Sequence, residues 1–449
     1  MKFYSRLSSG AILPGLSLLL ILGCTGNRLD VKPHASQMEE MGKTQPPVEI
    51  RTVLTGLDVL KVNNFAPLHG KTVGVVCNHT AVDKEGNHIV DLLHDAPDVT
   101  LKAIFAPEHG FRGTTEGGYA LNDSMDLKSG AMIYSIYGAV RKPTPEMLAG
   151  IDMLLFDIQD VGARFYTYIS TMGNVMEAGA EQGIPVMILD RPNPISGYTD
   201  GNILDMQHQS FVGMYPIPIQ YGLTLGELAR MIQGERWIQA ADNLELHIVE
   251  MEGWSRDLFF NETDLTWIDP SPNMRNLNEA LVYPGMCLLE ANTCSEGRGT
   301  EYPFEMVGAP YVDGKQLAKA LYEAGIEGAT VEPVTFVPVD MPGYAVNPKF
   351  EGEEVHGIRI RVVNPRVFRP VPFGVKFLVT LHALYPEHFA WTSEGRAARL
   401  WGSDSLVEMI ATGKSAAEIM ASYQAPLRQF KERQKLYLIY PAGGIRPAN

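Results

Sequence analysis

From about residue 51 onward, short apolar runs of strand character alternate with segments of helical pattern, and this alternation restricts the possible folds. The segments "KTVGVVCN" (71–78), "VTLKAIFA" (99–106) and "DMLLFDIQD" (152–160) each contain a continuous apolar run of strand character, and amphipathic helical segments such as "YISTMGNVMEAGAEQG" (168–183) lie between such runs. Strands that are apolar on both faces are typical of parallel sheets covered by helices. The sequence therefore predicts an α/β fold with a Rossmann-like, doubly wound and mostly parallel sheet.

The regular alternation stops in the C-terminal third of the chain. Helical "GKQLAKALYEAG" (314–325) and strand-like "HGIRIRVVNP" (356–365) occur there in a mixed order. We therefore predict a Rossmann-like catalytic domain over residues 52–305 and a smaller α+β auxiliary domain over residues 306–449.

The N-terminus has the pattern of an export signal. A basic start, "MKFYSR", precedes "AILPGLSLLLIL", an apolar run too short to span a bilayer, and Gly23 and Cys24 follow. Ile21 to Cys24 resembles the lipobox of bacterial lipoproteins, in which the cysteine is lipidated. We expect a signal peptide over residues 1–24, a flexible tether over residues 25–51, and an exported, periplasm-facing lipoprotein anchored in the outer membrane, because Thr25 is not an aspartate. An ordinary signal peptide with an incidental cysteine is the alternative.

Charge and motif content exclude several function classes. The formal net charge is −15 and no run of Lys and Arg occurs, which argues against a nucleic-acid partner. Neither a Gly-rich dinucleotide fingerprint after the first strand, nor a P-loop, nor a Cys/His cluster at zinc spacing is present, so no cofactor or metal is predicted. Cys77 suits a buried apolar position, whereas Cys287 and Cys294 could pair with each other but need not.

Each predicted strand ends in a polar motif, and ligands of open α/β sheets bind beyond the carboxyl ends of the strands. The motifs are "NHT" (78–80), "PEHGFRG" (107–113), "DIQDVGARFYTY" (157–168) and "DRPNP" (190–194). We expect them to form one polar crevice, although each alone could be a helix cap or a turn. The predicted substrate-binding residues from these motifs are Asn78, His79, Arg112, Arg164, Tyr168, Arg191 and Asn193.

A glycine-rich segment further along, "CLLEANTCSEGRGTEYPFEMVGAP" (287–310), brings acids and a guanidinium together. It contains Glu290, Glu296 and Arg298, of which Glu290 and Arg298 are predicted to bind substrate, and its glycines let the backbone approach a ligand closely. A surface loop with scattered charge is the alternative. Serine-hydrolase and zinc-peptidase motifs are absent from the sequence, and paired carboxylates suit glycosidic bond cleavage. Tyr119, Phe165, Tyr166 and Tyr168 could stack on sugars or pack in the core.

The longest motifs together resemble a known family, the bacterial exo-β-N-acetylmuramidases of the NamZ type, long catalogued as a domain of unknown function. The resemblance runs from about residue 52 to the C-terminus and implies a Rossmann-like domain, a smaller C-terminal domain and a cleft between them. It also implies hydrolysis of terminal β-1,4-linked N-acetylmuramic acid from the non-reducing ends of peptidoglycan fragments. The motifs that carry it are "GKTVGVVCNHTAV", "FAPEHGFRG", "DIQDVGARFYTYISTM", "LDRPNPISG", "YPIPIQYGLTLGELA", "PNMRN" and "CLLEANTCSEGRGTEYPFEMVGAP".

With this resemblance, we predict roles for individual residues. Glu108 is the expected general acid, with His109 tuning its proton or binding substrate, and Asp160 or Glu296 is the second carboxylate. A route assisted by the N-acetyl group of the substrate would need only one acid. The lactyl carboxylate of muramic acid calls for a guanidinium, and the candidates are Arg164, Arg191, Arg298 and, more weakly, Arg112. The alternatives are a non-catalytic lipoprotein that binds muropeptides or sugars, and an esterase or amidase, which the missing nucleophile motif disfavours.

Overall fold

The computed structural model describes residues 49–111 and 124–442. The predicted signal peptide, Cys24, most of the predicted tether and Arg112 lie outside these residues. The strands are β1 (Lys71–Cys77), β2 (Val99–Ala106), β3 (Ser124–Met125), β4 (Met132–Ser135), β5 (Met153–Asp157), β6 (Val186–Leu189), β7 (Asp200–Ile203), β8 (Pro218–Gln220), β9 (Leu246–Val249), β10 (Met306–Ala309), β11 (Ala329–Phe336) and β12 (Val355–Val362).

Seven of these strands form the central sheet, in the order β3-β4-β2-β1-β5-β6-β9. Neighbouring strands are parallel throughout except for β3 and β4, which are antiparallel. The order reverses direction between β1 and β5, because the chain builds outward from β1 on one side through β2 and β4, and on the other through β5, β6 and β9. This is the doubly wound, Rossmann-like arrangement predicted from the apolar runs, and that prediction is confirmed.

Helices cover both faces of the sheet. They are α1 (Gly56–Val62), α2 (Ile89–Asp95), α3 (Pro145–Leu148), α4 (Tyr168–Gln182), α5 (Leu225–Gly234), α6 (Leu277–Met286), α7 (Gly314–Glu323), α8 (Pro370–Leu384), α9 (Glu394–Trp401), α10 (Ser405–Ala411), α11 (Ala416–Ser422) and α12 (Gln424–Gln434). As the sequence predicts, α4 ends at Gly183, whose φ of 66° is left-handed and suits glycine. Among residues 49–111 and 124–442, no helix has the length and apolar character needed to cross a membrane.

Alternation along β1 explains the two hydrophobic cores. Val73, Val75 and Cys77 pack into one core, with residues of α1 and α2, whereas Val76 packs into the other, with residues of α4 and α5. Successive side chains of a strand point to opposite faces of its sheet. An apolar run such as "VGVVC" therefore fits only a strand that is covered on both sides.

The C-terminal part is built on a smaller antiparallel sheet, in the order β10-β12-β11, with α7 to α12. Its α8 lies very close to α6, because a Cβ atom on Gly374 would come within 2.7 Å of the Cα atom of Gly285. Only glycines allow two helices to approach this closely. The same α6 leads into the glycine-rich segment 287–310, so the packing of α8 on α6 sets the position of that segment.

Candidate active site

A cleft of about 560 Å³ lies beyond the carboxyl ends of β2, β4 and β5. One wall comes from loops of the parallel sheet, and the other comes from the glycine-rich segment, the loop after β11 and helix α9. The residues that line it are Glu108, His109, Tyr137, Phe165, Tyr166, Thr167, Tyr168, Val212, Ser271, Asn273, Met274, Tyr283, Glu290, Glu296, Arg298, Phe304, Tyr344, Ala345, Val346, Asn347, Pro348, Lys349 and Arg396.

Glu108 is held on the sheet side of the cleft by two hydroxyl groups. Its Oε1 accepts a hydrogen bond of 2.8 Å from the Tyr137 hydroxyl, and its Oε2 accepts one of 2.6 Å from Thr167 Oγ1. Directly after it, His109 and Gly110 adopt φ values of 70° and 74°, which turn the chain sharply at the end of β2. A left-handed residue other than glycine is uncommon, and three of those in the described residues, His109, Phe304 and Asn347, line this cleft. The two hydrogen bonds and the sharp turn therefore fix the orientation of the Glu108 carboxylate just beyond the carboxyl end of β2.

A network of ions forms the opposite wall. Arg298 Nη2 donates to Glu290 Oε1 at 2.8 Å, and Arg396 Nη2 donates to the other oxygen of the same carboxylate. Burial of the Glu290 carboxyl opposes ionisation, but the two guanidinium groups outweigh it and lower the pKa of Glu290. Glu290 is thus a carboxylate that orients two arginines, one on each of its oxygens.

Glu296 lies in the same wall and is 5% exposed. Lys349 Nζ is 3.0 Å from its Oε2, and Arg298 Nε is 3.7 Å from its Oε1. The flanking glycines explain the local sequence, since Gly297 and Gly299 have φ values of 81° and 80°. A Cβ on Gly297 would lie 2.1 Å from the Met306 carbonyl oxygen, so a side chain there would displace the segment that carries Glu296.

The floor of the cleft is aromatic. Tyr166 makes edge-to-face contacts with two neighbouring rings and Tyr283 with three, and Arg298 lies over the Phe304 ring at 5.2 Å. Phe165, Tyr166 and Tyr168 are all less than 10% exposed. They therefore serve mainly as packed support beneath the cleft.

Asn78, one of the predicted substrate-binding residues, is fully buried and contacts this floor from behind. Its Nδ2 donates to the Tyr168 hydroxyl at 2.9 Å, and that hydroxyl donates to the Pro270 carbonyl at 2.7 Å. His79 Nε2 is 2.6 Å from the Asp269 carbonyl oxygen and holds the same segment. Both residues thus support the edge of the cleft and do not line it.

Three further predicted residues lie away from the cleft lining. Arg191 donates to both oxygens of Asp157, from Nε at 2.5 Å and from Nη2 at 2.9 Å. Arg164 is fully buried and donates to the carbonyl groups of Asn202, Ile217 and Leu400 at 2.7–2.8 Å. Asn193 Nδ2 donates to the Leu223 carbonyl at 2.9 Å. These contacts give all three scaffold roles, and Arg164 in particular joins the loop after β5 to the C-terminal part of the chain at Leu400.

Asp160 is also outside the cleft lining. Its Oδ2 accepts hydrogen bonds from the Gly162 N–H at 2.7 Å and from the Tyr221 hydroxyl, and among the described residues its Oδ1 has no hydrogen-bond partner. Burial raises the pKa of Asp160 to about 7 despite these donors. Of the two predicted second carboxylates, the structure therefore brings Glu296 and not Asp160 into the cleft with Glu108.

This pKa predicts how the stability of the protein depends on pH. The folded state keeps the Asp160 proton up to about pH 7, whereas the unfolded state loses it near 3.8, so the folded state binds more protons between these values. The free energy of unfolding should therefore fall as pH rises from about 4 to 7. We expect Asp160→Asn to flatten this slope, measured as unfolding midpoints between about pH 4 and 7. An unchanged slope in the variant would contradict the shifted pKa.

Sequence analysis did not identify four residues that hold the acids of the cleft. Tyr137 and Thr167 bind Glu108, whereas Lys349 and Arg396 bind Glu296 and Glu290. Thr167 lies within the "RFYTY" motif, so its hydroxyl group could have been predicted as a hydrogen-bond donor at the site. Arg396, which is 106 residues from Glu290, carries no local signal at all. In the part of the chain that the structure describes, no three His, Cys, Asp or Glu side chains are arranged to hold a metal ion.

Comparisons with known proteins agree with this architecture. Residues 73–278 and 281–440 match the N-terminal and C-terminal models of the family described as exo-beta-N-acetylmuramidase NamZ. The chain is 41% identical over 389 residues to the peptidoglycan beta-N-acetylmuramidase NamZ of Bacillus subtilis (strain 168), covering 86% of this chain and 91% of that protein.

Two crystal structures of DUF1343 family proteins from Bacteroides fragilis NCTC 9343 have the same fold. One is 34% identical with a TM-score of 0.80, covering 88% of this chain and all of that one. The other is 33% identical with a TM-score of 0.70, covering 87% and 99%. With both family models matched in order over most of the described residues, the chain belongs to the NamZ family of exo-β-N-acetylmuramidases.

Proposed function

We propose that this cleft hydrolyses the bond to a terminal β-1,4-linked N-acetylmuramic acid at the non-reducing end of a peptidoglycan fragment, and that Glu108 and Glu296 are its two acids. The observation that carries the proposal is that one cleft holds an oriented carboxyl group on the sheet side and a wall of paired acids and guanidinium groups on the other. Two carboxyl groups flanking the scissile bond are what most glycosidases use.

Glu108 would act as the general acid. The hydrogen bonds from Tyr137 and Thr167 fix the direction of its carboxyl group, which a proton donor to the leaving oxygen needs. Glu296 would be the second carboxylate, at the anomeric centre or on the attacking water. We choose it over Asp160 because Asp160 is bound to Tyr221 and Gly162 outside the cleft.

The wall formed by Glu290, Arg298 and Arg396 suits the lactyl carboxylate, the group that distinguishes muramic acid from glucosamine. Arg298 and Arg396 each give one nitrogen to Glu290, and both line the cleft, so their other N–H groups can meet a lactyl carboxylate. Guanidinium groups bind carboxylates in a forked geometry that a lysine cannot match. Of the four arginines predicted from sequence for this contact, Arg298 is the one that lines the cleft among the described residues.

A direct assay tests the activity. The purified chain is incubated with a muramyl-β-1,4-glucosamine disaccharide in which both sugars are N-acetylated, and the products are separated by mass spectrometry. We expect free N-acetylmuramic acid and free N-acetylglucosamine in equal amounts, and no cleavage of the isomer with glucosamine at the non-reducing end. Binding of the disaccharide without release would instead indicate a sugar-binding lipoprotein.

We also propose that the chain works outside the cytoplasm as a lipoprotein anchored through Cys24. The support is the lipobox-like pattern before Cys24, and a peptidoglycan substrate is accessible from that side. Mass spectrometry of the mature N-terminus should find an acylated cysteine, and Cys24→Ala should abolish the modification. A mature chain that starts at another residue would contradict the anchor.

A further inference from the structure

The loop after β11 forms the outer rim of the cleft and is unusually apolar for an exposed segment. In the described part of the chain, Val337, Val339, Tyr344 and Val346 are all large apolar side chains with 38–49% of their surface exposed. Tyr344 and Val346 also line the cleft. Scattered exposed apolar residues are ordinary, but several within ten residues at the mouth of an active site indicate a binding surface.

This rim is held in place by hydrogen bonds. Met341 and Ala345 exchange two backbone hydrogen bonds of 2.8 and 2.9 Å, which close a tight turn around Gly343 at a φ of 82°. Asn273 Nδ2, which also belongs to the cleft lining, donates to the Tyr344 carbonyl at 2.6 Å. Tyr344 therefore has a fixed position, and a ligand that meets it does not have to order the loop.

One face of the Tyr344 ring is already occupied. The guanidinium carbon of Arg275 lies 4.8 Å from the ring centroid, over that face. Arg275 is not among the residues that line the cleft, whereas Tyr344 is. The cation thus lies behind the ring, and the opposite face is the one that a ligand in the cleft can reach. Such a face suits the C–H side of a pyranose, which is apolar and flat.

Hydrogen bonds and an ion pair connect the rim to the glycine-rich segment, which carries Glu296, the proposed second acid. The Val339 N–H donates to the Gly299 carbonyl at 2.9 Å, and Lys349 Nζ lies 3.0 Å from Glu296 Oε2. A sugar on the rim would consequently be adjacent to the sugar whose glycosidic bond is hydrolysed. The charged wall of Glu290, Arg298 and Arg396 suits the acidic terminal sugar, and the rest of the substrate must leave the cleft through its mouth, where Tyr344 lies.

From these contacts we propose that Tyr344 stacks on the sugar at the reducing side of the scissile bond, the leaving group, with Val346 as a second apolar contact. The inference rests on the proposed function, because it assigns a second sugar position in the same cleft. It makes Tyr344 a specificity-determining residue that recognises a saccharide leaving group and takes no part in proton transfer.

The test compares Tyr344→Ala with Tyr344→Phe, which keeps the ring. With the disaccharide as substrate, loss of the ring should raise KM about tenfold, which corresponds to about 1.4 kcal/mol, and leave kcat within about twofold, because the ring would bind the leaving sugar equally in the ground state and the transition state. Tyr344→Phe should stay within about twofold of wild type in both constants. The inhibition constant of free N-acetylmuramic acid should be the same in all three proteins, because that sugar occupies the other position.

The outcomes separate this inference from the proposed function. A wild-type chain that releases no muramic acid from the disaccharide overturns both. When the wild-type chain is active, an unchanged KM in Tyr344→Ala overturns the stacking alone, and so does an equal rise in KM and in the inhibition constant. A matching unfolding midpoint in Tyr344→Ala and wild type shows that the ring acts on the substrate and not on the fold.

Discussion

Replacing Glu108 by Gln should lower kcat for the natural disaccharide by about a thousandfold, within the 10²–10⁴ that general acid catalysis contributes. Gln has nearly the same shape and can still bind Tyr137 and Thr167, but it has no proton to give to the leaving oxygen. The kcat for a para-nitrophenyl β-N-acetylmuramide should fall much less, because nitrophenolate leaves without protonation. The measurement is kcat and KM for both substrates.

The matched control is Glu323→Gln on α7, whose side chain is 67% exposed and does not line the cleft. It makes the same chemical change and should leave both substrates unaffected. Near-normal disaccharide turnover by Glu108→Gln would rule out Glu108 as the acid. An equal loss on both substrates would assign it a role that does not depend on the leaving group.

Glu296→Gln should reduce turnover of both substrates alike, again by about 10²–10⁴. Its proposed role lies at the anomeric centre or on water, so the quality of the leaving group does not compensate for its loss. The change keeps side-chain volume between Lys349 and Arg298 and removes one negative charge. Rates on both substrates, with the anomer of the released sugar followed by NMR, report the loss and show whether configuration is retained.

Asp160→Asn provides the comparison for Glu296. If Glu296 is the second carboxylate, Asp160→Asn should keep most activity while changing the pH dependence of stability. A large loss of activity in Asp160→Asn, with Glu296→Gln near normal, would reverse the assignment. A large loss in neither would favour assistance by the N-acetyl group of the substrate, which needs only Glu108.

The fold could be read from the sequence because its signals are local. Runs such as 71–78 and 99–106 are apolar on both faces, and strand β2 begins and ends where the run does, at Val99 and Ala106. Gly183 marks the end of α4 because a left-handed residue is needed there. The turn at Glu108, His109 and Gly110 and the glycine-rich turn around Glu296 could also be predicted from the sequence. In both, residues next to the acid along the chain determine the backbone conformation that positions it.

Which polar residues face the cleft was decided only by the tertiary structure. Asp160, Arg164 and Arg191 follow strands just as Glu108 does, yet partners from Tyr221, Leu400 and Asp157 hold them in the interior. A buried charge is tolerable only when distant segments supply its hydrogen bonds. The same distant packing brings Lys349 and Arg396 to the acids of the glycine-rich segment.

The sequence by itself determined the sheet and the two acidic turns, because these depend on neighbours along the chain. The tertiary structure alone selected the pair of acids that share a cleft, because that depends on partners from other segments, 29 residues away for Tyr137 and 59 for Thr167 on Glu108.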